Sequence, residues 1–332
     1  MRNSKIIGLG KYLPEQKVTN HDLEKLMETS DDWIVERTGI RERRYVKPGV
    51  ETPSYMGAKA AEQALAMAGL ETKDIDFIVF ATLSPDLTFP GSGCLMQEHL
   101  GIYGVGALDV RNQCSGFVYA LAVADQFIRG GMYKNILVVG SEVQSTGLNF
   151  TTAGRDVAVI FGDGAGAALL TATTEKGKGI LASNMHADGR FARELMVEEP
   201  GSIKEKRINS ELMQNGNGYP YMNGRYVFKH AVTRFPEAIQ EALYDAGLSI
   251  NDVDLVIPHQ ANQRITEAIA QKLGLPQGKV FSNIHKYGNT TAASIPIALR
   301  EAWEEGRIKD NSLVCLAAFG SGFTWGANLI RF

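Results

Sequence analysis

Short apolar runs alternate along this chain with longer stretches whose apolar residues recur every three or four positions. Ile6 to Leu9, Ile75 to Ala81, Val105 to Val110, Ile136 to Val139 and Ala168 to Leu170 have the length of strands, the first over residues 5–10. Between them, Ser54 to Ala68 and the segment carrying Phe117, Ala120, Leu121, Ala124 and Ile128 have helical spacing. Asn20 is predicted to cap a short helix running to Met27. Further on, Val253 to Pro258, Val280 to Ile284 and Val314 to Ala318 read as strands, and Ile265, Ala268, Ile269 and Leu273 mark a helix. Strands alternating with helices imply mainly parallel sheets buried between helices, joined by right-handed crossovers. In such sheets ligands gather at the carboxyl ends of the strands.

The pattern repeats. Ala64-Leu65-Ala66-Met67-Ala68-Gly69-Leu70 returns as Ala242-Leu243-Tyr244-Asp245-Ala246-Gly247-Leu248, 178 residues later. At the same offset Asp74 to Val79 falls on Asp252 to Ile257, and Ile136 to Gly140 on Val314 to Ala318. The helix beginning near Ser115 falls close to one beginning near Thr291. A helix, a strand pair and a second helix in one register predict two duplicated α/β halves. The expected division is 1–173 and 174–332, which brings the carboxyl ends of two sheets into one molecule.

A chain of 332 residues is long enough for both cores. With 44% hydrophobic and 21% charged residues and no low-complexity tract, it has the composition of a folded soluble protein. A net charge of -3 argues against general nucleic-acid binding. No apolar stretch is long enough to span a membrane, and the run after Met1 is too short for a secretory signal. The cysteines Cys94, Cys114 and Cys315 are odd in number and widely spaced, which suits reduced thiols and a cytoplasmic location. None forms a CxxC or has a histidine at zinc-ligand spacing, so no metal is expected.

Candidate chemistry centres on Val110-Arg111-Asn112-Gln113-Cys114-Ser115-Gly116-Phe117, which sets a cysteine on a strand-to-helix turn. A helix N-terminus favours the thiolate, the form that attacks carbon, although alone Cys114 reads first as a buried, inert residue. His259 follows a strand of the second half, and Asn289 follows another; alone they read as hydrogen-bonding and turn residues. A thiol, a histidine and an amide donor together make an acyl-transfer set. Gly162-Asp163-Gly164-Ala165-Gly166 lacks the GxGxxG order and leads into a strand, which argues against a dinucleotide site. Phe319 to Gly326 reads as a tight turn between strands or as a close backbone approach to a ligand. Arg37, Arg41, Arg43 and Arg44 cluster near Trp33, either as a solvated loop or as a mouth for a phosphorylated or acidic ligand.

The Cys114 elbow, Gly162-Asp163-Gly164-Ala165-Gly166, Pro258-His259-Gln260-Ala261-Asn262, Gly288-Asn289-Thr290 and Phe323-Thr324-Trp325-Gly326 together resemble the motifs of the β-ketoacyl-acyl carrier protein synthase III family, in the thiolase-like superfamily. The resemblance runs from about Ile6 to Phe332. It implies a duplicated five-layered α/β/α/β/α fold with two mixed, mainly parallel sheets, and a homodimer. It also implies transfer of an acyl group from acyl-CoA to Cys114, then decarboxylative condensation with malonyl-acyl carrier protein, with no tightly bound cofactor. By the same resemblance the amides of Cys114 and Ser321 form an oxyanion hole, and His259 and Asn289 hold the malonyl thioester oxygen. Trp33, Arg37 and Arg155 lie around the CoA nucleotide, and Asn262 contacts the pantetheine. Lys229 and Arg264 meet the carrier protein, and Phe89 crosses the dimer to line the partner's acyl pocket.

Some positions depart from the common pattern. Arg111-Asn112-Gln113 is bulkier and more polar than the small residues common before the nucleophile, and Gly320-Ser321-Gly322 stands where three glycines are common. Residues 191–223 form an insertion in which Glu198, Glu199, Lys204, Glu205, Lys206 and Arg207 suggest an exposed cap. These differences bear on the acyl chain and the acceptor, and keep open a specialised relative with another acyl donor or acceptor. Papain-like hydrolases also run Cys, His, Asn in chain order. The internal repeat and the absence of a Cys-Gly-Ser-Cys-Trp string weigh against that alternative.

Overall fold

In a computed structural model, which describes residues 2–207, 216, 218–276 and 278–332, the apolar runs become two sheets. The first half contributes β1 (Asn3–Tyr12), β2 (Gln16–Thr19), α1 (Asn20–Glu24), α2 (Asp31–Thr38), β3 (Glu42–Tyr45) and α3 (Pro53–Ala68). It continues with β4 (Phe77–Ala81), α4 (Ser92–Leu100), β5 (Gly106–Val110), α5 (Gly116–Arg129), β6 (Asn135–Glu142), α6 (Arg155–Ala158) and β7 (Gly164–Thr173). The first sheet has the order β1-β7-β6-β4-β5, and only β7 runs against the rest. The glycine string thus enters a strand, as expected. The run from Val105 is an edge strand rather than a buried one, with Leu108 38% exposed.

Next come β8 (Gly179–Ala187), the short pair β9 (Leu195–Met196) and β10 (Tyr221–Met222), α7 (Gly224–Asp245), β11 (Leu255–Pro258) and α8 (Gln263–Leu273). The remaining elements are α9 (Ile284–Tyr287), α10 (Ser294–Glu304), β12 (Leu313–Gly320) and β13 (Thr324–Arg331). The second sheet has the order β11-β12-β13-β8, with β13 alone reversed. The strand expected over Val280 to Ile284 shrinks to one bridge, Val256 to Val280, because Ile284 already begins α9.

The 178-residue offset reaches down to single hydrogen bonds. Phe77 pairs with Ile136 in β4 and β6, and Leu255 with Val314 in β11 and β12. The Asp76 carboxylate accepts from the Asn135 amide at 2.8 Å, and that of Asp254 from the Leu313 amide at 2.8 Å. Gly69 and Gly247 both take left-handed backbone, at φ 65° and 67°, to close α3 and α7. The helices α5 and α10 begin at Gly116 and Ser294, which are also 178 apart.

Those two helices form the central layer. Phe117, Val118, Leu121 and Ile128 of α5 and Ile295, Ile297 and Leu299 of α10 are all buried, so these helices are apolar nearly all round, as a helix packed on both sides must be. One core cluster joins them to both sheets, while α3 and α4 cover the outer face of the first sheet and α7 and α8 that of the second. The layers are therefore α/β/α/β/α. Each fully buried large side chain here contributes about 1.5–3 kcal/mol.

Asn20 does not cap α1. Thr19 does, through a reciprocal pair in which its hydroxyl accepts from the Asp22 amide and the Asp22 carboxylate accepts from the Thr19 amide. The Asn20 side chain is engaged elsewhere: it donates to Asp31 and the Ile40 carbonyl and accepts from Arg43 at 2.8 Å.

Candidate active site

Cys114 sits in a single 3₁₀ turn, Gln113–Ser115, between β5 and α5. Gln113 is held at φ 44°, which swings the next residue out of the strand direction and onto the helix start. The corresponding residue of the second half, Thr291, is held at φ 46°. There Ala292 stands where the cysteine would be, and its amide donates to the buried Glu142 carboxyl at 3.3 Å. Cys114 is 7% exposed. Burial, with the Glu142 carboxyl second, pushes its thiol up to about 12, against a lowering contribution from the Cys114 amide.

His259 follows β11, its amide donating to the Ala317 carbonyl at 2.8 Å. The ring is 1% exposed and carries two different nitrogens. Nδ1 lies 2.6 Å from the Ser294 hydroxyl oxygen. That oxygen also accepts from the Gln260 amide at 3.4 Å; with the Ser294 hydroxyl donating to Nδ1, the ring proton sits on Nε2. Nε2 is buried and has no partner among the described residues. Burial lowers the His259 pKa to about 3, which keeps the ring a neutral donor across the physiological range.

Asn289 combines the turn role and an available amide. Its Oδ1 accepts from the Thr291 amide at 2.9 Å, a local turn contact, which leaves Nδ2 without a protein partner among the described residues. The backbone around it is fixed against the glycine string of the first half: the Asn289 amide donates to the Ile160 carbonyl, and the Gly162 amide to the Asn289 carbonyl at 3.1 Å. Gly162 is required there, because a Cβ would come within 2.3 Å of the Tyr287 carbonyl oxygen.

Cys114, His259 and Asn289 line one cavity of about 130 Å³, with Asn262, Phe228 and Ile265 along its outer length. Cys114 also lines a second cavity of about 330 Å³ that does not include His259 or Asn289 and is bordered by Leu83, Gln113, Gln144, Phe161 and Ser321. The thiol thus stands at a junction. Gly320 backs it so closely that a Cβ there would lie 2.7 Å from the Cys114 Cβ. Ser321 follows directly, and its hydroxyl donates to the Leu195 carbonyl.

The residues expected at the mouth divide. Two guanidinium groups lie over the Trp33 ring, Arg37 at 4.5 Å and Arg155 at 5.2 Å. A surface hollow beside them is lined by Glu28, Thr29, Ser30, Trp33 and Arg155. Asn262 ties this mouth to the cavity: its Oδ1 accepts from the Arg264 amide and caps α8, while its Nδ2 donates to the Arg37 carbonyl at 2.8 Å. Arg43 does not join Trp33. It is fully buried, donating to the Asn20 side chain and to the Val159 carbonyl at 2.7 Å, and so braces the wall behind the mouth.

Lys229 on α7 and Arg264 on α8 are exposed beside the outer cavity wall, Arg264 lying over the Phe228 ring at 5.8 Å. Phe89 is 80% exposed. Within the described part of the 191–223 insertion, β9 and β10 form a stem, and Leu195 and Met222 hang over Cys114. The charged residues are not uniformly exposed as expected: Glu199 is buried, and Lys204 pairs with both Glu198 and Glu199.

Ser294 and Glu142 were not singled out by sequence. Ser294 lies 178 residues after Gly116 and Glu142 ends β6, so the duplicated register alone could have located both at the elbows.

Residues 108–189 match the family described as 3-oxoacyl-[acyl-carrier-protein (ACP)] synthase III, and residues 243–332 match its C-terminal part. The chain is 47% identical over 330 residues to β-ketoacyl-[acyl-carrier-protein] synthase III of Aquifex aeolicus, covering 99% of both chains. It is 47% identical over 329 residues to the Bacillus pumilus protein of that name, again covering 99% of both. The crystal structure of the Aquifex aeolicus protein superposes with a TM-score of 0.91 over 99% of this chain and 100% of that one, at 46% identity. A priming β-ketosynthase of the R1128 polyketide pathway gives 0.89 at 31% identity, covering 98% and 96%. With the layered, duplicated sheets and the cysteine elbow, these matches lead to one conclusion: the chain belongs to the β-ketoacyl-[acyl-carrier-protein] synthase III family, acyltransferases of thiolase-like fold.

Proposed function

We propose that this enzyme starts fatty acid synthesis by loading an acyl group from acyl-CoA onto Cys114 and condensing it with malonyl-acyl carrier protein. The observation that carries this reading is the convergence of Cys114, the Nε2–H of His259 and the free amide of Asn289 on one cavity.

In the first step Cys114 Sγ attacks the thioester carbonyl, the C–S bond to CoA breaks, and the thiol proton leaves with the CoA sulfur. The amides of Cys114 and Ser321 hold the tetrahedral oxyanion; no backbone acceptor engages the Cys114 amide among the described residues. In the second step the malonyl carboxylate leaves as carbon dioxide, and its bonding pair becomes an enolate on the thioester oxygen. His259 Nε2–H and Asn289 Nδ2–H donate to that oxygen as charge builds. The enolate carbon then attacks the acyl carbonyl, and the Cys114 sulfur leaves and takes up a proton.

Trp33, Arg37 and Arg155 hold the CoA nucleotide, Asn262 the pantetheine, and Lys229 and Arg264 the acidic carrier protein. Phe89, too exposed for a lone subunit's core, closes the acyl pocket of a partner in a cytoplasmic homodimer, and each subunit divides as 1–173 and 174–332. No tightly bound cofactor takes part. The test is intact-mass analysis with acyl-CoA and then malonyl-acyl carrier protein: an acyl adduct on Cys114 that discharges into a β-ketoacyl carrier protein is expected. Discharge to water alone overturns the reading in favour of a hydrolase, and discharge onto another acceptor in favour of a specialised relative.

A further inference from the structure

The cavity beyond Cys114 has two kinds of wall. Leu83, Phe161 and Val197 are apolar, as a hydrocarbon chain requires. The opposing contribution comes from Arg111, Gln113 and Gln144, whose hydrogen-bonding capacity is largely unspent. The Arg111 guanidinium makes no ion pair or hydrogen bond among the described residues, and neither does the Gln113 side chain. Gln144 is buried, its backbone fixed by donation to the Asp163 carboxyl at 2.6 Å, yet its Nε2 reaches only long contacts, 3.4 Å to Glu142 and 3.5 Å to Thr291. Its Oε1 accepts from nothing among the described residues.

The backbone holds this polar wall in place. Gln113 sits directly before the nucleophile in the left-handed region, at φ 44°, which costs energy for any residue but glycine. A hydrocarbon chain filling the cavity would strip water from the Gln113 and Gln144 amides and return no hydrogen bond, while the exposed Arg111 stands solvated at the rim. An acyl chain bearing oxygen would satisfy them.

We infer that the acyl group carried by Cys114 bears an oxygen function beyond the thioester, a hydroxyl or a carboxylate, recognised by Gln113 and Gln144 with Arg111 supplying the charge for a carboxylate. This inference rests on the reading of Cys114 as the acyl carrier and specifies its substrate class. The chemistry of the walls favours such donors because a site built to hydrogen-bond a substrate group discriminates strongly against the analogue lacking it.

The test compares loading of Cys114 by butyryl-CoA, 3-hydroxybutyryl-CoA and succinyl-CoA, as kcat/KM from intact-mass time courses on the full-length enzyme. At least one oxygenated donor is expected to exceed butyryl-CoA by about tenfold or more. Arg111→Leu should lower the succinyl-to-butyryl ratio by about tenfold, and Gln113→Ala the 3-hydroxybutyryl-to-butyryl ratio by a similar factor. Using ratios within each variant, with thermal melting alongside, separates specificity from loss of fold. Butyryl-CoA equal to or better than both oxygenated donors, with ratios unmoved by either substitution, overturns this inference and leaves the acyl-carrier reading standing. Failure of every thioester to load Cys114 overturns both.

Discussion

The Ser294 hydroxyl oxygen lies 2.6 Å from His259 Nδ1, so a serine on the central helix engages one imidazole nitrogen and leaves Nε2 without a partner among the described residues. Ser294→Ala should let the ring sample the other tautomer. Condensation is expected to slow by about tenfold, the equivalent of one hydrogen bond, while loading of Cys114 stays within about twofold. Ser294→Thr should restore most of the rate, since it keeps the hydroxyl. Equal slowing of loading and condensation would make Ser294 a packing residue only.

Removing a donor itself should cost more. His259→Ala or Asn289→Ala is expected to lower condensation by about 10²–10³, with the acyl adduct on Cys114 still forming and then persisting. Loss of the adduct in either variant would move that residue into the first step.

Closer to the sulfur, Gly320→Ala places a Cβ against the Cys114 Cβ at 2.7 Å, where neither backbone can easily give way. Loading should fall by at least about tenfold with a lowered melting temperature, as overpacking costs about 1–3 kcal/mol. Unchanged alkylation by iodoacetamide would count against this packing.

Much of this arrangement was legible beforehand, because a duplicated register constrains elements that lie far apart. Gly69 and Gly247, with the strands beside them, announce two sheets, and Cys114 lies at the strand-to-helix turn expected of it. The thiol's ionisation was not legible: Cys114 lies at a helix start as expected, but burial by both halves pushes it the other way. Arg43 misled for a similar reason. Its neighbours in sequence are solvated, yet strand alternation turns its side chain inward, against Asn20 and Val159. Asn289 serves the turn through Oδ1, which leaves Nδ2 available for the proposed donor role.

Stability should bear the mark of these buried groups at both ends of the pH scale. His259 titrates near 6.5 unfolded but at about 3 in the fold, so its contribution is complete above pH 6.5 and lost as pH falls. At pH 5 that loss amounts to about 2 kcal/mol. Cys114 and Cys315 are both raised to about 12, so the fold retains protons that the unfolded chain releases above about pH 8.5, and stability declines as pH rises toward 12. Urea melts at pH 5, 7 and 10 should show the maximum near neutrality. His259→Gln should flatten the acid limb, and Cys315→Ala should reduce the alkaline slope by about 1.4 kcal/mol per pH unit.

At the mouth, Trp33→Ala or Arg37→Ala should raise the KM for acyl-CoA by about tenfold with kcat nearly unchanged, because on the proposed function the ring and guanidinium meet only the distant end of the substrate. Isothermal titration with CoA at two salt concentrations checks this; the wild-type affinity should weaken with salt and the Arg37 variant less so.

Glu142 settles a question of stoichiometry. The second elbow, with Ala292 in place of the thiol, already holds a carboxyl against its amide, supplied from within the chain. An acyl group arriving there would meet neither a nucleophile nor an empty donor. On the proposed function the copied architecture therefore offers a single chargeable elbow, and covalent loading is expected to saturate at one equivalent per chain however much thioester is supplied.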